Sequence, residues 1–209
     1  MQPPLRVPPS APARLVVLAS GTGSLLESLL EAAVGDYPAR VVAVGTDREC
    51  RALDVAAAAE VPGYTVRLHD HPDRESWDQA ITDATREHAP DLVVSAGFMK
   101  ILGPQFLSRF IGRIVNTHPA LLPAFPGAHA VPDALAYGVR VTGTTVHLVD
   151  AGMDTGPILA QEAVAVLDGD DEATLHERIK VVERRLLVES LAAMATRGVI
   201  WTGRKAALG

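Results

Sequence analysis

Short apolar runs alternate along this chain with helix-periodic segments, and each run is closed by glycine, proline or a polar turn. Leu15-Val16-Val17-Leu18-Ala19 ends at Ser20-Gly21-Thr22-Gly23, after which Leu25, Leu26, Leu29 and Leu30 share one helical face. Val41–Val44 and Tyr64–Leu68 read as further strands on either side of a helix over 51–60. Trp77, Ala80, Ile81 and Ala84 form the buried stripe of a helix ending near Ala89-Pro90. The runs Asp91–Ala96 and Arg113–Asn116 follow, with a short helix around Pro104–Phe110 between them. Strands apolar on both faces and separated by helices call for a mostly parallel sheet covered on both sides.

After Gly143 the texture changes. Thr144–Val149 alternates as a half-buried strand does, and Ile158–Val166 reads as its antiparallel neighbour. A long helix is then expected from Asp171, as N-cap, to Arg197, with Gly198 at C′ and a buried stripe of Leu175, Ile179, Val182, Leu186 and Met194. The expected fold is a doubly wound α/β domain over 14–209: a mostly parallel sheet, helices on both faces, and a C-terminal strand-helix extension. The proline-rich leader 1–13 has almost nothing to bury and is expected to be disordered or polyproline II.

At 209 residues the chain can bury a full core. A net charge of −6 and a pI near 5.6 argue against a nucleic-acid backbone or an anionic membrane as principal partner. The lone Cys50 cannot form an internal disulfide, which suits a reducing cytoplasm. No run reaches the ~18–20 apolar residues of a membrane span, and the N-terminus lacks the apolar core of a secretory signal. The oligomeric state is left open, with a homodimer among the alternatives.

Three features carry chemistry. Ser20-Gly21-Thr22-Gly23-Ser24-Leu25-Leu26 joins strand to helix, where free amides at a helix N-terminus form an anion site. Leu26 stands where a dinucleotide fingerprint needs its third glycine, and no Gly-Lys-Ser/Thr follows, so a single phosphate fits better than a dinucleotide or a P-loop nucleotide. Asn116-Thr117-His118-Pro119 ends a strand, where ligands of open α/β sheets gather, and Asp154 lies in the glycine-flanked loop Asp150–Pro157. An amide, an imidazole and a carboxylate are what acyl transfer to an amine requires: an oxyanion donor, a proton carrier, and a group that governs the carrier's charge. Taken singly, each has an ordinary structural explanation. His118 could satisfy backbone groups in a turn shaped by Pro119 and Pro123, Asp154 could be a solvated loop residue, and the glycines could serve the turn alone. His147, inside a strand, reads as a buried, hydrogen-bonded histidine that could also orient a loop. His69 and His71 flank Asp70 but lack a third spaced ligand, so no metal is expected.

Together, Ala96-Gly97-Phe98-Met99-Lys100-Ile101-Leu102, Asn116–Pro123, Gly143–His147 and Asp154–Ile158 resemble the folate-dependent formyltransferase family over about 14–196. Members acting on tRNA carry a further basic domain and the related deformylases a regulatory one, so length and acidity favour a phosphorylated small substrate. The resemblance implies transfer of the formyl group of 10-formyltetrahydrofolate to the glycine amine of 5′-phosphoribosylglycinamide, in purine biosynthesis. It implies Asn116, His118 and Asp154 as the catalytic trio. It further implies Gly23, Ser24 and Leu25 on the phosphate, and Lys180, Val181, Val182 and Glu183 facing the ribonucleotide, with Glu183 on the ribose. Arg74, Met99, Lys100, Ile101, Leu102, Asn116, Asp150, Ala151, Gly152, Met153 and Asp154 would form the folate site. Thr22 and Leu25 stand where the family commonly has Asn, and Lys100 where it has Arg, which keeps the charge but loses the bidentate fork. A hydrolase of 10-formyltetrahydrofolate, a phosphosugar-binding module and a nucleotide-linked oxidoreductase are the competing classes.

Overall fold

The computed structural model describes residues 4–209. The first half of the chain lays down β1 (Leu5–Val7), β2 (Ala13–Ala19), α1 (Ser24–Ala32), β3 (Ala39–Thr46), α2 (Arg51–Ala58) and β4 (Gly63–Thr65). A 3₁₀ turn at Leu68–Asp70 leads to α3 (Arg74–Glu87), β5 (Leu92–Ser95), α4 (Pro104–Arg109) and β6 (Ile114–His118). The second half adds α5 (Ala130–Tyr137), β7 (Val141–Leu148), β8 (Ile158–Ala165), α6 (Glu172–Arg197), β9 (Val199–Thr202) and β10 (Lys205–Leu208).

These strands form one sheet in the order β1-β9-β10-β8-β7-β6-β5-β2-β3-β4. The block β6-β5-β2-β3-β4 is parallel throughout, and β7 and β8 continue it in antiparallel register. The chain winds outward from β2 in one direction to β3 and β4, and in the other to β5 and β6. The crevice between the ends of β2 and β5 is therefore the topological switch point, the usual ligand position of such sheets.

Both faces of the sheet are covered, as apolar runs without alternation require. Leu15, Val17, Val94, Val115 and Val146 pack against Leu26, Leu29, Ala52, Leu187 and Leu191 of the α1, α2 and α6 layer. Val16, Leu18, Val93 and Ile114 pack against Trp77, Ile81, Phe106 and Phe110 of the α3 and α4 layer. Each wholly buried Phe or Leu contributes about 1.5–3 kcal/mol. Asp78, itself buried, accepts hydrogen bonds from the amides of Gly103 (3.0 Å) and Gln105 (2.8 Å) and so fastens the start of α4 to α3. Asp171 caps α6 in a capping box with Thr174.

Several local expectations need correction. The third strand is Gly63–Thr65, not Tyr64–Leu68, because the chain turns at Leu68–Asp70 to enter α3. Leu5–Val7 of the proline-rich leader is a strand paired antiparallel with β9, which supplies partners that local sequence does not reveal; residues 1–3 lie outside those described. Helix α5 and the hairpin β9–β10 are additional to the sequence reading. The hairpin is held by tertiary packing: a Cβ placed on Gly112 would meet the Trp201 ring at 1.9 Å, so that indole lies directly on the glycine.

Candidate active site

At the switch point, β2 runs into the loop Ser20–Gly23, and α1 starts without a side-chain cap. Gly23 has φ +76, and an added Cβ would come within 3.0 Å of the Ala52 main chain, so both backbone conformation and space demand glycine. The open amides of Ser24 and Leu25 are left to bind something else. Arg51 steadies the loop by donating to the Thr22 carbonyl (2.7 Å) and to Glu27 (2.5 Å).

Ser20 also holds the neighbouring segment, since its hydroxyl accepts from the Met99 amide (2.8 Å) while its own amide donates to the Gly97 carbonyl. Within that segment Met99 and Ile101 are exposed and Leu102 is buried. The Arg74 guanidinium lies over Trp77 and donates to the Ile101 carbonyl, tying α3 to the segment. Lys100 reaches to 3.6 Å of Asp47 at the end of β3. Burial opposes the Asp47 charge, but hydrogen bonds from Arg48 and Ser20 and the charges of Arg48 and Lys100 outweigh it and hold the carboxyl below its ordinary range.

Asn116 and His118 follow Ile114 at alternate positions of β6, so all three share the sheet face that carries α3 and α4. Strand β7 places His147 directly opposite Asn116. The loop Asp150–Asp154, from β7 to β8, brings its carboxylate back to them. Asp154 Oδ2 is 3.4 Å from His118 Nδ1, and Asp154 Oδ1 is 3.7 Å from His147 Nε2. The Gly127 amide donates to Asp154 Oδ2 at 2.7 Å. Asp150 braces the same loop by accepting from Gly152 N (3.0 Å) and Thr155 Oγ1 (2.7 Å). His118 is buried, and its Nε2 meets the Phe125 carbonyl at 2.7 Å. A carbonyl can only accept, so Nε2 carries a proton and Nδ1 is the ring nitrogen available for chemistry.

On the opposite face, Thr117 faces the buried Glu183 of α6. Burial pushes the Glu183 carboxyl up, and the Thr117 hydroxyl together with the charges of Lys180 and Arg184 counters that only in part. Lys180 is paired with Glu177 at 2.7 Å, Val181 is exposed, and Val182 packs with Leu175 and Ile179. Of the segment 180–183, then, Glu183 is the residue that faces Thr117 of β6. Among the described residues no group of three or more His, Cys, Asp or Glu is placed to hold a metal ion. No helix among them is long and apolar enough to cross a membrane.

The structure thus brings Asn116, His118 and Asp154 together and puts the Ser20–Leu25 loop and the Met99–Leu102 segment beside one another. Partners that sequence reasoning did not assign are the Phe125 carbonyl, the Gly127 amide, Ser20, Asp47 and the hydrogen bond between Asn116 and His147. Their signal lies in strand register and loop closure, which local pattern does not encode.

Residues 13–191 match the formyl transferase family. The chain belongs to that family. It is 78% identical over all of its 209 residues, and 97% of the other chain, to a phosphoribosylglycinamide formyltransferase of Mycobacterium tuberculosis. The counterpart from Bacillus subtilis is 34% identical over 88% of this chain and 97% of its own. Among solved structures, glycinamide ribonucleotide transformylase 1 from Symbiobacterium toebii superimposes with a TM-score of 0.91 at 39% identity, covering 94% of this chain and 93% of that one. The doubly wound sheet and its C-terminal extension are accordingly the formyl transferase architecture.

Proposed function

We propose that the protein transfers the formyl group of 10-formyltetrahydrofolate to the glycine amine of 5′-phosphoribosylglycinamide, yielding the formylated ribonucleotide and tetrahydrofolate. The observation that carries this reading is the convergence of the Asn116 amide, the His118 Nδ1 edge and the Asp154 carboxylate on one sheet face, beside a helix N-terminus with uncapped amides. The whole-length identity to relatives named for this reaction supports it.

In this reading the phosphate lies on the amides of Gly23, Ser24 and Leu25, and Glu183 takes the ribose hydroxyls. The folate lies along Met99–Leu102, Arg74 and the loop Asp150–Asp154, with the exposed Met99, Ile101 and Met153 side chains offering apolar surface to its ring. The neutral amine adds to the formyl carbon, and the carbonyl oxygen takes up the electron pair. Asn116 donates an N–H to that oxyanion, and protonated His118 donates through Nδ1. Asp154, 3.4 Å away, stabilises the positive charge on the ring. The proton lost by the attacking nitrogen replaces the one delivered to the departing folate nitrogen as the carbon–nitrogen bond breaks. Proton count and charge are restored at the end of the cycle.

The test is incubation with 10-formyltetrahydrofolate with and without phosphoribosylglycinamide. Release of tetrahydrofolate that depends on the amine is the expected result. Amine-independent release would make the protein a hydrolase, and no release would leave only a binding module.

A further inference from the structure

Resting on that catalytic reading, we infer that His147 is a positioning residue that sets the direction of the Asn116 amide by accepting one of its N–H groups. Three observations carry the inference. First, antiparallel pairing sets His147 directly across from Asn116, with Asn116 Nδ2 at 3.3 Å from His147 Nε2. Second, the other ring nitrogen, Nδ1, is 3.0 Å from the Leu148 carbonyl. Third, the ring is almost wholly buried.

The donor–acceptor logic then closes in one way. A carbonyl cannot donate, so Nδ1 holds the proton. Burial lowers the affinity of the ring for a second proton, and this outweighs the Leu148 bond and the Asp154 charge; His118 adds to the lowering, and Asp150 to the opposition. The ring is therefore neutral, and Nε2 is a bare acceptor. The group that faces it must bring a hydrogen, which requires the –NH₂ end of Asn116. One N–H is consumed in this bond, and its geminal partner is aimed elsewhere at a fixed angle. In the proposed reaction that second N–H is the oxyanion donor. Without the anchor the amide is free to turn its oxygen toward the developing negative charge, where it would repel it.

The experiment is a double-mutant cycle joining His147→Leu to Asn116→Ala, with His147→Gln as the conservative variant. Gln places an acceptor oxygen near the Nε2 position. We expect His147→Leu to lower kcat by about 10- to 100-fold, a fraction of the loss typical when an oxyanion donor is deleted, with both KM values within about threefold. His147→Gln should recover most of that loss. In the Asn116→Ala background, His147→Leu should cost less than about threefold, because the group it orients is gone. Equal losses in both backgrounds would show a merely structural role and overturn the inference while leaving the catalytic reading intact. An Asn116→Ala variant with wild-type kcat would overturn both. Histidine-¹⁵N NMR of the unaltered protein gives an answer independent of variant folding. It should show His147 protonated at Nδ1 and bare at Nε2 near neutral pH, and the opposite tautomer or an imidazolium there would refute the anchor.

Discussion

Asp154→Asn separates charge from shape at the centre of the site. The backbone at Asp154 has φ +52, a left-handed conformation that asparagine adopts as readily as aspartate, so the substitution carries little strain. The amide oxygen can take the place of Oδ2, keeping the 2.7 Å bond from the Gly127 amide. The –NH₂ then replaces Oδ1, 3.7 Å from the bare Nε2 of His147, and no like dipoles are opposed. What disappears is a full negative charge 3.4 Å from His118 Nδ1. At an effective dielectric of ~20 that attraction is about 5 kcal/mol, and a neutral acceptor recovers roughly half of it. The remaining loss of about 2–3 kcal/mol corresponds to about a 30- to 150-fold fall in kcat/KM. The assay is amine-dependent tetrahydrofolate release, with a thermal melt alongside. An unchanged Tm with the reduced rate is the expected pair. A variant that melts normally and keeps kcat/KM within fivefold of the parent would remove Asp154 from charge stabilisation.

Asn116→Ala and His118→Ala should fold normally and lose about 10²–10³ in turnover; near-parental rates in either would sink the catalytic trio. Gly23→Ala must adopt φ +76 and push against Ala52 at 3.0 Å, so we expect a cost of about 1–2 kcal/mol, read as a lower Tm, together with a raised KM for the ribonucleotide and a folate KM little changed. Glu183→Gln relieves a buried charge whose folded-state pKa is raised by burial. The penalty in the parent is absent below the unfolded carboxyl value and grows as pH rises, so the variant should melt a few degrees higher at pH 7–8, with the gap closing near pH 4, while its ribonucleotide KM rises. His147 has the opposite linkage. Burial lowers its folded-state pKa, so its contribution is complete above the unfolded value of ~6.5 and is lost as pH falls below that. His176 is also lowered by burial and acts in the same direction. Tm should therefore drop between pH 7 and 5, less steeply in His147→Gln, and a Tm that rises on acidification would contradict this sign.

The sheet was legible because burial on both faces leaves a signature that needs no partner information: Leu15–Ala19 is apolar throughout, and Leu92–Ser95 at every position but the last. Helix α6 was legible from its Asp171 cap and the Gly198 stop. Strand β1 was hidden among prolines because it forms on the edge of β9, whose residues lie nearly the whole chain away. The Leu68–Asp70 turn was hidden because Tyr64–Leu68 is apolar enough for a strand, and the need to enter α3 overrides it. At the site, the residue types of Asn116, His118 and Asp154 pointed to acyl transfer. The assignment of each nitrogen did not, because it depends on the carbonyls of Phe125 and Leu148, which lie where loop closure and register put them.

Successive residues of one strand point to opposite faces, and that alternation gives β6 two tasks. Thr117 points toward the α6 layer and Glu183, whereas Asn116 and His118 point toward the α3 and α4 layer, where His118 meets Asp154 and Asn116 meets His147. In the proposed reaction the ribonucleotide is gripped from the first side, at α1 and α6, and the folate from the second. The amine and the formyl carbon then meet only where the strand ends. A covalent relay through the enzyme would need a nucleophile at that same point, and the lone cysteine does not supply one. Cys50 caps α2 and packs with the α1, α2 and α6 layer, on the face away from Asn116 and His118. In the proposed reaction transfer is direct, and the protein's own task is to hold the two reactants and stabilise one oxyanion.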